Sequence, residues 1–255
     1  MIGQMTATAV DKQELAPGIF KMRLFAPVIA REAVPGQFVH IKCDDHRDFI
    51  LRRPFSVHQV IGDSIEILFN RIGPGTEWLA SLALKSTIDI IGPLGHGFDI
   101  TGSSGSVLLV AGGMGIAPLV FTAARLVEKN IKIFALIGAA DNQRLLDYMD
   151  LKRLTRRITA TTEDGSRGTK GRVTDVLDDV IRENLPERVF ACGPRGMLAQ
   201  VAAITARRGV PCQVALEELM ACGVGVCLSC VTRTKTGYKK VCSDGPVFDS
   251  DEIVW

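Results

Sequence analysis

Between residues 106 and 215 the sequence alternates short apolar runs with longer segments of helical periodicity, and this alternation constrains the fold more than any other feature. SVLLVAG, IKIFALIGAA, RITATTED, ERVFACGP and PCQVALEE read as strands, while APLVFTAARLVEKN, NQRLLDYMDLKRL, VTDVLDDVIREN and RGMLAQVAAITARRG read as helices. Consecutive parallel strands can be joined only by crossovers, so the pattern predicts a parallel sheet with helices on both faces. The preceding residues differ. IFKMRLFAP, QFVHIKC, SIEILFN and STIDIIGPLGHGF are short strand-like runs separated by turns, as in an antiparallel barrel or sandwich. Thr101-Gly102-Ser103-Ser104-Gly105 reads as the linker between the two patterns. Beyond Leu219 the chain turns cysteine- and glycine-rich, with a hairpin-like CVTRTKTGYKKVC. The expected class is α+β and multidomain. It comprises an antiparallel β-barrel over residues 1–101, a doubly wound α/β parallel-sheet domain over 102–216 and a small module over 217–255.

Composition narrows the function. With 255 residues, 47% hydrophobic and 23% charged, the chain can build ordinary globular cores. A net charge of +2 provides no field directed at nucleic acid or an anionic membrane. Residues 100–124 hold no charge, but glycines and Pro118 break them into a strand, a turn and a helix rather than a membrane span. MIGQMTATAVDKQEL lacks the basic and apolar regions of a signal peptide, which favours the cytoplasm, where disulfides rarely persist.

Cys222, Cys227, Cys230 and Cys242 are spaced C-x4-C-x2-C-x11-C. Zinc sites usually use C-x2-C pairs, so zinc is the second reading and a disulfide framework or thioredoxin-like pair a weaker one. The x4/x2 spacing is that of plant-type [2Fe-2S] clusters, in which a loop wraps the cluster and a distant cysteine completes it. Gly223 and Gly225 suit such a loop because they can take positive φ without crowding. Cys43 and Cys212 read as small buried hydrophobes.

The stretch VAGGMGIAPL places Gly112, Gly113, Gly115, Ile116, Ala117 and Pro118 between a strand and a helix, an incomplete G-x-G-x-x-G with proline last. Glycines there admit a pyrophosphate, and the helix N-terminus attracts anions. ACGPRGM makes a second strand-to-helix loop with Cys192, Gly193 and Pro194, which could face the first across the crevice and put Cys192 near a nicotinamide. Asp141 and Asp164 compete as the ribose-binding acid, which would favour NAD, while Arg144, Arg156, Arg157 and Arg167 leave NADP open.

In the barrel segment, LRRPFSVHQV carries R-P-x-S and FNRIGPGTEWL carries Gly75-Thr76, which reads on its own as a turn with an N-cap threonine. RRPFS, GPGT, IGPLGHGF, VAGGMGIAPL, ACGPRGM and LEELMACGVGVCLSCVTRT, followed by KKVCSDGPVFDSDEIVW, occur in this order over almost the whole chain. The set resembles the ferredoxin–NADP⁺ reductase superfamily, and within it the electron-transfer subunits of NAD-dependent dihydroorotate dehydrogenases.

The resemblance implies FAD on the barrel, NAD on the α/β domain and a [2Fe-2S] cluster held by the four cysteines. Arg53 would pair with the FAD pyrophosphate in the strand Arg53-Pro54-Phe55-Ser56, and Ser56 would lie near the flavin N5. Phe69, Asn70 and Arg71 would line its ribityl or adenosine side, and Gly75-Thr76 would bind phosphate. Phe55 stands where relatives often carry tyrosine. It further implies an FMN-containing catalytic partner, in a heterotetramer with two copies of each subunit, and electron flow through cluster and FAD to NAD⁺. No general acid–base pair is expected, and His40, His46, His58 and His96 are not catalytic candidates. Trp255 could anchor a docking face or fold back. Rival readings are a reductase subunit serving ferredoxin, sulfide or a hydrogenase, and a zinc-stabilised regulatory module without redox activity.

Overall fold

The computed structural model describes residues 3–43, 50–103, 105–146 and 148–255; His46 lies outside them. Six antiparallel strands close a barrel in the order β1-β2-β5-β4-β3-β6. They are β1 (Gly3–Ala16), β2 (Ile19–Phe25), β3 (Phe38–Ile41), β4 (Arg53–Ile61), β5 (Ser64–Asn70) and β6 (Thr87–Leu94), with short helices α1 (Pro27–Glu32) and α2 (Pro74–Ser81) between them. Alternation decides what fills the barrel: Val39, Ile41, Phe55, Val57, Ile65, Ile67, Phe69, Ile88 and Ile90 all point inward. β1 was not foreseen, because its polar residues give GQMTATAVDKQELA little strand signature although it pairs with both β2 and β6.

The second sheet runs β10-β9-β8-β7-β11-β12-β15. Its strands are β7 (Ser106–Gly112), β8 (Lys132–Ala139), β9 (Ile158–Thr162), β10 (Thr169–Lys170), β11 (Arg188–Cys192), β12 (Cys212–Ala215) and β15 (Val247–Asp249). All pair in parallel except β15, which is antiparallel to β12. The helices are α3 (Ile116–Glu128), α4 (Tyr148–Leu154), α5 (Val173–Asn184) and α6 (Arg195–Arg207). The predicted helix over 142–154 is interrupted: a 3-10 turn at Asn142–Arg144 precedes the shorter α4. Along β7, Val107, Leu109 and Ala111 meet α3 and α4, and Leu108 and Val110 meet α5 and α6, so both faces are covered. No helix among the described residues is long and apolar enough to cross a membrane.

Two contacts join the parts. Phe121, on α3, is buried in the barrel core rather than against the sheet. From the other side, Phe38 and Leu94 of the barrel share a core with Cys230, Val241, Cys242, Phe248 and Ile253 of the cysteine-rich segment. That segment also contains a hairpin of β13 (Val231–Thr234) and β14 (Gly237–Lys240) before it supplies β15. Gly95, at φ +75°, makes the approach possible, since a Cβ there would fall 2.5 Å from the Gly245 carbonyl oxygen. The His96 N–H donates to the same oxygen at 2.5 Å. Phe248→Ala empties a fully packed position and should destabilise the protein by about 3–5 kcal/mol in denaturant unfolding.

Candidate functional site

The cysteine loop begins where the chain leaves β12. Positive φ at Gly223 (+70°), Gly225 (+83°) and Leu228 (+60°) curls the backbone so that its N–H groups face sulfur. The amides of Val224, Val226 and Cys227 point at Cys222 Sγ from 3.4–3.5 Å. The Gly225 N–H donates to Cys242 Sγ at 3.2 Å, and the Cys242 N–H to Cys230 Sγ at 3.4 Å. All four thiols are free of disulfides. Hydrogen bonds with Ser229, and then with Cys222, draw the Cys227 thiol down to about 6, whereas burial pushes Cys242 up to about 12. Four thiols around a loop lined with inward amides are the donor set a sulfur-rich, polynuclear cluster takes.

His40 underlies this loop. On β3 its neighbours Val39 and Ile41 fill the barrel, so His40 points outward and is covered by the cysteine-rich segment. A Cβ on Gly223 would lie 2.4 Å from His40 Nδ1. Neither ring nitrogen has a hydrogen-bond partner of good geometry, although backbone groups of Cys222 and Arg52 lie within loose reach, and burial holds the imidazole below its ordinary value. Opposite His40 in the sheet is Pro54, within the R-P-F-S strand.

Arg53, on that strand, donates to the Leu51 carbonyl at 2.6 Å. Its Nε lies 3.6 Å from the position a Cβ would take on Gly75, at the start of α2. A guanidinium beside helix-initial N–H groups suits a pyrophosphate. Thr76 is the third helical residue rather than the cap: its hydroxyl accepts from Ile72 and Gly73 N–H groups at 3.0 and 3.2 Å. Near these residues in sequence, the apolar side chains of Ile50 and Ile72 are 91% and 81% exposed. Pro54 and Ser56 are partly open, and Asn70 and Arg71 exposed. Phe55 and Phe69 differ from expectation. Their rings pack edge-to-face inside the barrel core.

In the parallel sheet, connections run outward in opposite directions from β7 and β11, and the crevice between the carboxyl ends of two such strands is where ligands bind. There the two glycine loops meet: a Cβ on Gly115 would fall 2.2 Å from the Cys192 carbonyl oxygen. Gly193, at φ +156°, packs against Met197 and Gly112. A cavity of about 450 Å³ opens beside them, lined by Gly112, Gly113, Ala139, Glu163, Arg172 and Pro194 among others. Several expected residues lie elsewhere. Ile116, Ala117 and Pro118 are buried at the start of α3, Ile116 and Ala117 in the core against the sheet, and the Ala117 carbonyl meets His58 Nδ1 of the barrel at 2.9 Å. Cys192 is buried beneath α3, its thiol raised by desolvation. Asp164 turns away to accept hydrogen bonds from Ser166, and its neighbour Glu163 lines the cavity instead, 3.7 Å from Arg172. Asp141 caps the turn at Arg144.

Glu217 was also missed. It lies close enough to Cys192 to raise that thiol, and desolvation raises its own carboxyl. Cys43 and Cys212 are buried, their thiols pushed up to about 11 and about 12 by desolvation. Trp255 folds back, its indole N–H donating to the Ser250 carbonyl at 3.2 Å with the Arg195 guanidinium over the ring.

Residues 217–254 match the iron-sulfur cluster binding domain of dihydroorotate dehydrogenase B, and residues 109–203 the oxidoreductase NAD-binding domain. The dihydroorotate dehydrogenase B (NAD(+)) electron transfer subunit of Geobacillus thermodenitrificans is 38% identical over 264 residues, covering 100% of both chains. That of Desulforamulus reducens is 36% identical over 247 residues, covering 94% of each. The solved structure of an NADH-dependent reduced ferredoxin-NADP oxidoreductase, studied for flavin-based electron bifurcation, superposes with a TM-score of 0.88 at 31% identity. It covers 99% of this chain and 91% of its own. A ferredoxin NADP+ reductase from Neisseria gonorrhoeae with bound FAD and NADP shares the fold at TM-score 0.69 and 18% identity, over 81% of this chain and 92% of its own. With full-length relatives well above 30% identity, the chain belongs to the family of dihydroorotate dehydrogenase B (NAD(+)) electron transfer subunits.

Proposed function

We propose that this chain is the electron-transfer subunit of a dihydroorotate dehydrogenase, holding FAD and a [2Fe-2S] cluster and delivering electrons to NAD⁺. Its partner is an FMN-containing catalytic subunit, with two copies of each in a cytoplasmic heterotetramer. One observation carries the reading. The cysteine loop, the Arg53–Ser56 strand and the dinucleotide crevice belong to one packed body, the first two joined at His40 and the last two by Phe121.

The protein's contribution is placement. Cys222, Cys227, Cys230 and Cys242 hold the cluster while the loop amides hydrogen-bond to sulfur and tune it. Arg53 and the N-terminus of α2 at Gly75 and Thr76 neutralise the FAD pyrophosphate. Bound flavin supplies both one- and two-electron chemistry, which a cluster and a nicotinamide each lack. Gly112, Gly113 and Pro194 let the dinucleotide approach the backbone, and Glu163 accepts from a ribose hydroxyl while opposing a 2′-phosphate. Leu219, Val224, Val226 and Leu228 expose apolar surface around the cysteine loop, which suits a partner docking beside the cluster.

An anaerobic visible spectrum, with iron, zinc and flavin quantified, tests this directly. Flavin bands over a broad iron–sulfur envelope, bleached by NADH, are expected. A zinc-loaded, colourless protein indifferent to NADH after reconstitution would overturn it. Cys227→Ser should lose most of the iron and retain FAD, measured on the same preparation. Glu163→Arg replaces a repulsive charge with an attractive one, so the NADH-over-NADPH preference in kcat/KM should fall at least about tenfold.

A further inference from the structure

His40 is fully buried, and its ring nitrogens make no hydrogen bond of good geometry, only loose approaches to the backbone of Cys222 and Arg52. A neutral imidazole carries one N–H and one acceptor nitrogen, and buried polar groups left unmade are costly enough to be rare in native proteins. The exceptions call for a reason. Here the ring edge bearing Nδ1 faces Gly223, the residue that follows Cys222. Backbone groups of Cys222 and Arg52 flank the ring. In the barrel sheet His40 sits opposite Pro54, between Arg53 and Phe55 on β4. One side chain therefore touches the loop of a cluster ligand and belongs to the strand pair that carries the flavin motif.

We propose that His40 is a positioning residue for the iron–sulfur cluster: its imidazole seats the loop at Gly223, and its N–H, met only loosely by the backbone of Cys222 and Arg52, is donated within that loop once the cluster is in place. This rests on the four cysteines being the cluster ligands. Gly223 is required twice over, by its positive φ and by the ring, which leaves no room for a Cβ. An N–H donated towards a cluster or its ligands stabilises the more negative, reduced state and so raises the potential. A purely apolar filler could seat the loop but could not supply that donor. The two roles are thus separable by substitution.

The experiment uses the full chain, anaerobically loaded, with folding checked by thermal unfolding and flavin content. His40→Phe preserves bulk and removes the donor, whereas His40→Asn restores an N–H in less volume. For His40→Phe the expected results are a more negative cluster potential in a dye-mediated titration, altered g-values in the reduced EPR spectrum, and iron release to a chelator accelerated about 10- to 100-fold. His40→Asn should return the potential part of the way. Since either variant could fold poorly, a double-mutant cycle of His40→Ala and Gly223→Ala on iron release provides a second measurement. Removing the ring should relieve part of the Gly223→Ala defect. Native-like potential, spectrum and release in His40→Phe, or strict additivity in the cycle, would overturn the proposal while leaving the cluster assignment standing. A wild-type chain that holds no iron–sulfur cluster after reconstitution would overturn both.

Discussion

The pairing of β15 with β12 is the contact on which the rest of the architecture depends. Three residues, Val247 to Asp249, add antiparallel to the edge of an otherwise parallel sheet. They carry Phe248 into the core that also contains Cys230, Val241 and Cys242. Without this return the cysteine loop would be attached at one end only. With it, both ends are fixed on the sheet, and the Gly245 turn is pressed against the barrel at Gly95. The arrangement explains why the barrel strand β3 is buried on both faces, with Val39 and Ile41 inside the barrel and Phe38 and His40 under the cysteine-rich segment.

On the opposite side α3 performs a complementary task. Its first turn sets the glycine loop, its sheet-facing residues cover β7, and Phe121 inserts into the barrel core. The crevice between the glycine loops and the barrel are therefore joined by a shared element, not by a flexible connection alone. Electron transfer requires fixed relations among redox groups, and both junctions are made of tightly packed side chains, which resist gradual deformation.

Much of this was legible in sequence because it is local. The strand–helix alternation, the x4/x2 cysteine spacing and the paired glycine loops each follow from residues close together in the chain. What was not legible depends on partners distant in sequence. β1 has a weak apolar pattern because its neighbours and not its own side chains define it. A single step of register separates Glu163, which lines the cavity, from Asp164, which turns back on Ser166. Phe55 and Phe69 carried a ligand-site reading, yet their parity in β4 and β5 aims them inward. His40 looked like one more strand residue because nothing local announces that a glycine from a distant loop will press against it.

The return of β15 has a thermodynamic consequence. All four cysteines lie in the span between β12 and β15, so closing that edge of the sheet means ordering a long loop, with the entropy cost of any non-local closure. Whatever the thiols bind selectively in the ordered loop offsets that cost by mass action. Metallation and edge-strand docking are consequently two readings of one equilibrium. The sheet margin at β12, open as a template for other chains when unpaired, is guarded by the same chemistry that charges the cysteine loop.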